Sequence, residues 1–224
     1  MLDPDVVIRL LDLAGVFFNA ILGGVVAREH RLDPIGFAVL AVLSGLGGGI
    51  IRDTLLQAGP PVAFVDNSYV LTALVGAAIA FAIRLEGRVW DRAFPPIDAL
   101  ALGVWAAVGA QKTLGVGLGP IAAIILGVVT AVGGGFVRDM VLRRVPTILG
   151  GSTLYATCAL AAAGVAVAFT AAGLTTIGSF AATVVGAGLC LLARYRGWVL
   201  PAGTGWRPPR PSFRRILPRR RKSA

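Results

Sequence analysis

Two copies of one pattern, Gly-Gly-Gly-x-x-Arg-Asp, hold the side chains most able to do chemistry. Gly47, Gly48, Gly49, Arg52 and Asp53 make the first copy, and Gly133, Gly134, Gly135, Arg138 and Asp139 the second. Each copy lies inside a long apolar stretch. A charge at membrane depth is costly unless it meets water or a partner, so Arg52, Asp53, Arg138 and Asp139 are expected to face the protein interior. Each glycine in a helix interior costs about 1 kcal/mol relative to alanine, so a contiguous triplet needs a compensating role. Irregular backbone at membrane depth is tolerated where it is buried in protein or lines a watery cavity, which predicts a break or kink at each triplet. The competing reading is close packing of two backbones. For the charged pairs, an ion path competes with an ion-pair lock that only braces the bundle. A broken helix could offer carbonyl ends to a cation or amide ends to an anion, which leaves the sign of the ion open.

Other chemistries lack their residues. Gly45-Leu46-Gly47-Gly48-Gly49 carries part of a nucleotide fingerprint, but Ile50 stands where its last glycine belongs and no strand precedes it. No Ser/His/Asp or Cys/His set supports nucleophilic catalysis, so the chain is not expected to be an enzyme. His30, the one histidine, sits among Arg28, Glu29 and Arg31 with no second ligand nearby, and Cys158 and Cys190 fall in apolar helical stretches. No metal, cofactor or disulfide is predicted. Weaker polar candidates inside spans are Arg9, Asp12, Asn19, Asp98, Gln111 and Lys112, some of which can snorkel. Tyr69 and Tyr155 suit interface anchors as well as pore groups.

The elements that position these residues are membrane helices. Hydrophobic residues make up 56% of the chain and charged ones 14%, far from the balance of soluble domains. Hydropathy and breakers such as Asp33-Pro34, Gly59-Pro60-Pro61, Pro95-Pro96 and Gly119-Pro120 divide residues 1–196 into seven spans, at about 6–28, 34–57, 68–85, 97–114, 118–143, 152–172 and 175–194. Asp3 and Asp5 precede the first span, so it is expected to stay as a span and not to be cleaved as a signal.

A shift of 86 positions carries the first motif onto the second, and with it Asp12 onto Asp98, Gly23 onto Gly109, Pro34 onto Pro120 and Tyr69 onto Tyr155. Two repeats follow, about 6–85 and 97–172. Three spans per repeat is an odd number, so the second copy must enter the membrane inverted, with the seventh helix outside the symmetry. The fold class predicted is all-α integral membrane, with the second and fifth helices meeting at a pseudo-two-fold axis. Arg52 lies four residues beyond Gly48, or about 6 Å of helical rise, so the two charged pairs should bracket the midplane and no direct Arg52–Asp139 bridge is predicted.

The formal net charge of +10 has one address, because ten basic side chains run from Arg194 to Lys222 without an acid among them. A basic tail could bind nucleic acid, but one that follows a span directly is read as a disordered cytoplasmic segment, 197–224, facing anionic lipid. Arg28 and Arg31, then Arg84, Arg88 and Arg92, then Arg143 and Arg144 mark alternate loops as cytoplasmic, which puts the N-terminus outside the cell membrane.

With its paired motifs, duplicated three-helix unit and seventh helix, the sequence over about 6–194 resembles the prokaryotic trimeric intracellular cation channels. The resemblance implies a homotrimer with one pore per protomer, selective for monovalent cations and mainly potassium. It places the kinks at the two glycine triplets, the gate near Arg52, Asp53, Arg138 and Asp139, and a voltage-responsive basic residue at Lys112. Calcium dependence is not implied, as the chain has no acid cluster. Sequences with this repeat are also described as glycine transporters, so alternating access is the rival reading, and a non-conducting structural subunit is a third.

Overall fold

The computed structural model describes residues 4–85, 87–149 and 154–200. Eight α-helices and one 3-10 turn occupy them, and the fold is all-α. They are α1 (Pro4–Glu29), α2 (Pro34–Leu56), α3 (Val62–Val65), α4 (Asn67–Ala82), α5 (Arg88–Gly115), α6 (Pro120–Val141), the turn Thr147–Leu149, α7 (Tyr155–Ala171) and α8 (Thr175–Arg196). Segments of α1, α2, α5, α6 and α8 are long and apolar enough to cross a membrane, while α4 and α7 are shorter apolar helices. The tail expected to face lipid lies almost wholly outside the described residues.

Local sequence sets the helix starts. Pro34 and Pro120 open α2 and α6, where a missing N–H costs nothing, and the Asp33 carboxylate accepts the Gly36 amide at 2.7 Å. Asp66 caps α4 in the same manner through the Ser68 amide at 3.0 Å. Bonds from Ser68 and the Arg9 guanidinium hold this Asp66 carboxyl below the usual carboxylate range. At the other end of α4, Arg28 donates to the Ala80 and Phe81 carbonyls, each at 2.6 Å, which satisfies acceptors that the helix end leaves free.

One boundary differs markedly from expectation. The fourth predicted span was to begin at 97, after Pro95-Pro96, yet α5 begins at Arg88 and runs through both prolines. An interior proline loses an N–H donor and costs about 3 kcal/mol, and the turn ahead of the pair stacks Trp90 on Phe94, with centroids 5.2 Å apart.

Side-chain sizes are sorted as in a lipid-embedded bundle. The buried core is dominated by alanine, including Ala20, Ala73, Ala106, Ala163 and Ala182, whereas Ile35, Leu71, Ile121, Val184 and many other large apolar residues face outward. Small residues let helix backbones approach, which is what drives association when the solvent is itself apolar. α1 packs on α2 and α4, and α5 packs on α6 and α7; α2 lies against α6, and α8 covers α5 and α7.

Both glycine triplets lie where α2 crosses α6. The helices are continuous through Gly47, Gly48 and Gly49 and through Gly133, Gly134 and Gly135, so of the break or kink expected there the break is absent. Close packing accounts for them instead. A Cβ on Gly48 would collide with the Thr130 carbonyl oxygen and one on Gly134 with that of Ser44, while a Cβ on Gly133 would come to 2.8 Å from the Gly48 Cα. Ser44 meets Gly134 and Gly48 meets Thr130, so position numbers rise along one helix as they fall along the other, and the two run antiparallel. Ser44 and Thr130 are themselves 86 residues apart, as are Gly48 and Gly134: each contact has its counterpart.

Candidate functional site

The charged pairs stand on the last turn of α2 and of α6, just beyond the crossing. Asp53 is 4% exposed and Asp139 2%, so each carboxylate must find its partners within the protein. Asp53 Oδ1 accepts from Arg52 Nε at 2.8 Å and Lys112 Nζ at 2.7 Å, and its Oδ2 accepts the Val62 amide at 3.0 Å. Asp139 Oδ1 accepts from Arg138 Nε and a terminal guanidinium nitrogen, both at 3.1 Å, and its Oδ2 accepts the Thr147 amide at 3.1 Å. Val62 opens α3 and Thr147 opens the 3-10 turn, so each aspartate also caps the short helical element that follows its own long helix.

Sequence reasoning placed these four residues in the interior, and the structure buries all of them. With both helices intact no carbonyls are freed at the glycines, and each arginine turns to its neighbouring aspartate. Among the described residues neither Arg-Asp pair reaches the other, but Lys112 links the two repeats here: it reaches from α5 in the second repeat to Asp53 in the first, with its side chain one-third exposed.

A second layer lies beside the first. Tyr69 donates to Asp12 Oδ2 at 2.7 Å, and Tyr155 donates to Asp98 Oδ1 at 3.0 Å. These four residues had been matched by the repeat but not joined to one another; the identical spacing of 57 residues within each pair was the available signal. Trp105 was missed altogether. Its indole N–H donates to Asp12 Oδ1 at 2.9 Å, again from the second repeat to the first.

These groups line two cavities that border the crossing. The first, of about 430 Å³ with the space at its mouth counted, is walled by Asp12, Gly49, Arg52, Asp53, Val62, Tyr69 and Trp105. The second, of about 1190 Å³ on the same count, is walled by Asp98, Gly135, Arg138, Ile148, Tyr155, Asn19 and Arg194. A shift of 86 carries Asp12, Gly49, Arg52, Val62 and Tyr69 of the first onto Asp98, Gly135, Arg138, Ile148 and Tyr155 of the second. Because α2 and α6 are antiparallel, the cavities lie toward opposite ends of the bundle. Such chambers offer carboxylate, guanidinium and phenol groups to water or an ion. Among the described residues no three His, Cys, Asp or Glu side chains converge as a metal site.

The comparisons with known proteins agree with this duplicated architecture. A family model described as "Glycine transporter" matches twice, at residues 9–84 and 96–171. A UPF0126 membrane protein of Deinococcus radiodurans is 37% identical over 155 residues, covering 69% of this chain and 72% of the relative. The UPF0126 inner membrane protein YadS of Escherichia coli is 36% identical over 151 residues, covering 67% of this chain and 72% of the relative. Among solved structures, a TRIC cation channel superposes with a TM-score of 0.80 at 29% identity, over 87% of this chain and 96% of that one. The trimeric intracellular cation channel orthologue of Rhodobacter sphaeroides gives 0.78 at 32% identity, over 85% and 98%. Matched in both halves by one family model and alike in fold to these channels along almost their whole length, the chain is a membrane protein of the TRIC-like family.

Proposed function

We propose that this protein is a channel for monovalent cations, mainly potassium, and that the ion path joins the two cavities through the α2–α6 crossing. The observation that carries this reading is the pair of cavities themselves: equivalent ionic and phenolic residues line both, and they approach one crossing from opposite ends. The likeness to solved TRIC cation channels supports the same reading. Arg52, Asp53, Arg138 and Asp139 then flank the narrow region, and Lys112 is the mobile charge that responds to voltage. Bending of α2 and α6 on opening belongs at Gly49 and Gly135, whose exposed sides meet only an arginine nitrogen, at 3.9 and 3.7 Å from where a Cβ would stand.

In this proposal α4 and α7 also cross the bilayer, which gives seven spans in two inverted repeats with α8 outside them, and three protomers each carry a pore. The basic loops face the cytoplasm and the N-terminus lies outside. Arg144 supports that arrangement, since it bonds His30 at 3.1 Å and thereby brings the end of α6 to the end of α1, two of the predicted cytoplasmic loops. Residues 197–224 form a basic tail against anionic lipid.

Two observations favour a second reading. The crossing closes the space between the cavities, and the matched family model is described as a glycine transporter, both of which suit alternating access to a small solute. Purified protein in potassium-loaded vesicles separates the two. Rapid potassium release on adding a protonophore, without saturable uptake of glycine, supports the channel; saturable glycine uptake with no potassium leak overturns it.

A further inference from the structure

The two cavities share equivalent wall residues but differ in size more than twofold, about 430 against 1190 Å³ with the open space at their mouths counted. They differ also in what the opposite repeat sends into each. α5 sends Trp105 into the first; the equivalent position on α1 is Asn19, which lines the second. Seven residues beyond Trp105, on the same helical face, Lys112 bonds Asp53, and its equivalent on α1 is Val26, which can make no such bond. Trp105 also packs on α1, since a Cβ on Gly15 would lie 3.0 Å from its indole nitrogen. Asn19, of much smaller volume, donates to the Gly15 carbonyl of its own helix at 3.3 Å, and among the described residues it bonds nothing across its cavity.

We propose that Trp105 is the stopper of the first cavity, pinned to Asp12 by its indole N–H and backed by the Lys112–Asp53 bridge, while the second cavity stands open because Asn19 takes the equivalent place. Opening the path therefore means releasing α5 from two carboxylates of the first repeat, and the two ends of the path are not interchangeable. This rests on the cavities being two halves of one ion path, and the test separates the two ideas.

Val62 and Ile148 are equivalent wall residues, so Val62→Cys and Ile148→Cys report on the first and second cavity in matched positions. The readout is the rate of reaction with a cationic, membrane-impermeant methanethiosulfonate on the full chain in vesicles opened to both sides. The parent protein, whose Cys158 and Cys190 are 2% and 7% exposed, sets the background. Ile148→Cys is expected to react fast and Val62→Cys slowly. Adding Trp105→Asn accelerates Val62→Cys about tenfold, the factor by which losing one hydrogen bond to a charged group shifts an opening equilibrium, and leaves Ile148→Cys unchanged. The reciprocal Asn19→Trp slows Ile148→Cys. Should Trp105→Asn fail to assemble, Trp105→Phe, which lacks the donor, is expected to accelerate Val62→Cys in its place. Equal parental rates at the two cysteines, or a Val62→Cys rate unmoved by the Trp105 substitution, would overturn the stopper. Faster labelling with no change in unitary potassium current upholds the stopper and counts against the ion path.

Discussion

Gly134 of α6 lies so close to the main-chain carbonyl of Ser44 on α2 that no side chain fits between them, and Gly48 stands in the same relation to Thr130. The glycine triplets are therefore first of all the place where two long helices touch backbone to backbone. Their members are not equal: Gly48 and Gly134 abut main chain, whereas Gly49 and Gly135 face only the ends of Arg52 and Arg138.

That inequality predicts unequal tolerance. Gly48→Ala or Gly134→Ala forces backbone apart and is expected to destabilise the protein by about 1–3 kcal/mol, the usual cost of overpacking. Gly49→Ala and Gly135→Ala should fall within about 0.5 kcal/mol of the parent or be slightly stabilising, as expected for alanine in an uncrowded helix. Thermal unfolding in detergent, followed by size-exclusion chromatography, measures both; equal losses at all four positions would contradict the packing account.

The tyrosine–aspartate pairs should also respond unequally. Tyr155→Phe removes the one side-chain donor found on Asp98 among the described residues, while Tyr69→Phe leaves Asp12 with Trp105. A hydrogen bond to a charged acceptor is worth about 1.5–3 kcal/mol, so Tyr155→Phe should lie near the upper value and Tyr69→Phe near or below the lower. The same thermal assay reads the difference, and a larger loss at Tyr69 would show that Trp105 does not share the load.

At Asp53 the bridge from Lys112 is one of three bonds, so the two partners have separable effects. Lys112→Met leaves Asp53 with Arg52 and the Val62 amide and is expected to cost about 1 kcal/mol or less, because the lysine is part exposed. Asp53→Ala strands a buried arginine and should cost about 3–5 kcal/mol. Single-channel records should show higher open probability and weaker voltage dependence in Lys112→Met. An unchanged voltage response would remove Lys112 from gating.

Much of this architecture was legible in the sequence, and the parts that were not share a cause. Comparing the chain with itself at a shift of 86 brings out whatever the halves have in common: the triplets, the Arg-Asp pairs, and Asp12 and Tyr69 with their counterparts. It is blind to departures from symmetry, so Trp105 and Lys112, which cross from one repeat to the other, gave no signal of their partners. The helices stayed whole through the glycines because the second helix supplies the close contact that a lone helix would lack, a tertiary effect invisible to helix propensity. Likewise α5 runs through Pro95 and Pro96, where punctuation alone argued for a start at 97.

Cation passage through the crossing is tested most directly by the reversal potential of unitary currents, with purified protein in planar bilayers separating unequal potassium chloride solutions. Currents are predicted to reverse near the potassium equilibrium potential. Reversal near the chloride potential, or bilayers that stay silent while the same preparation accumulates glycine, would contradict it.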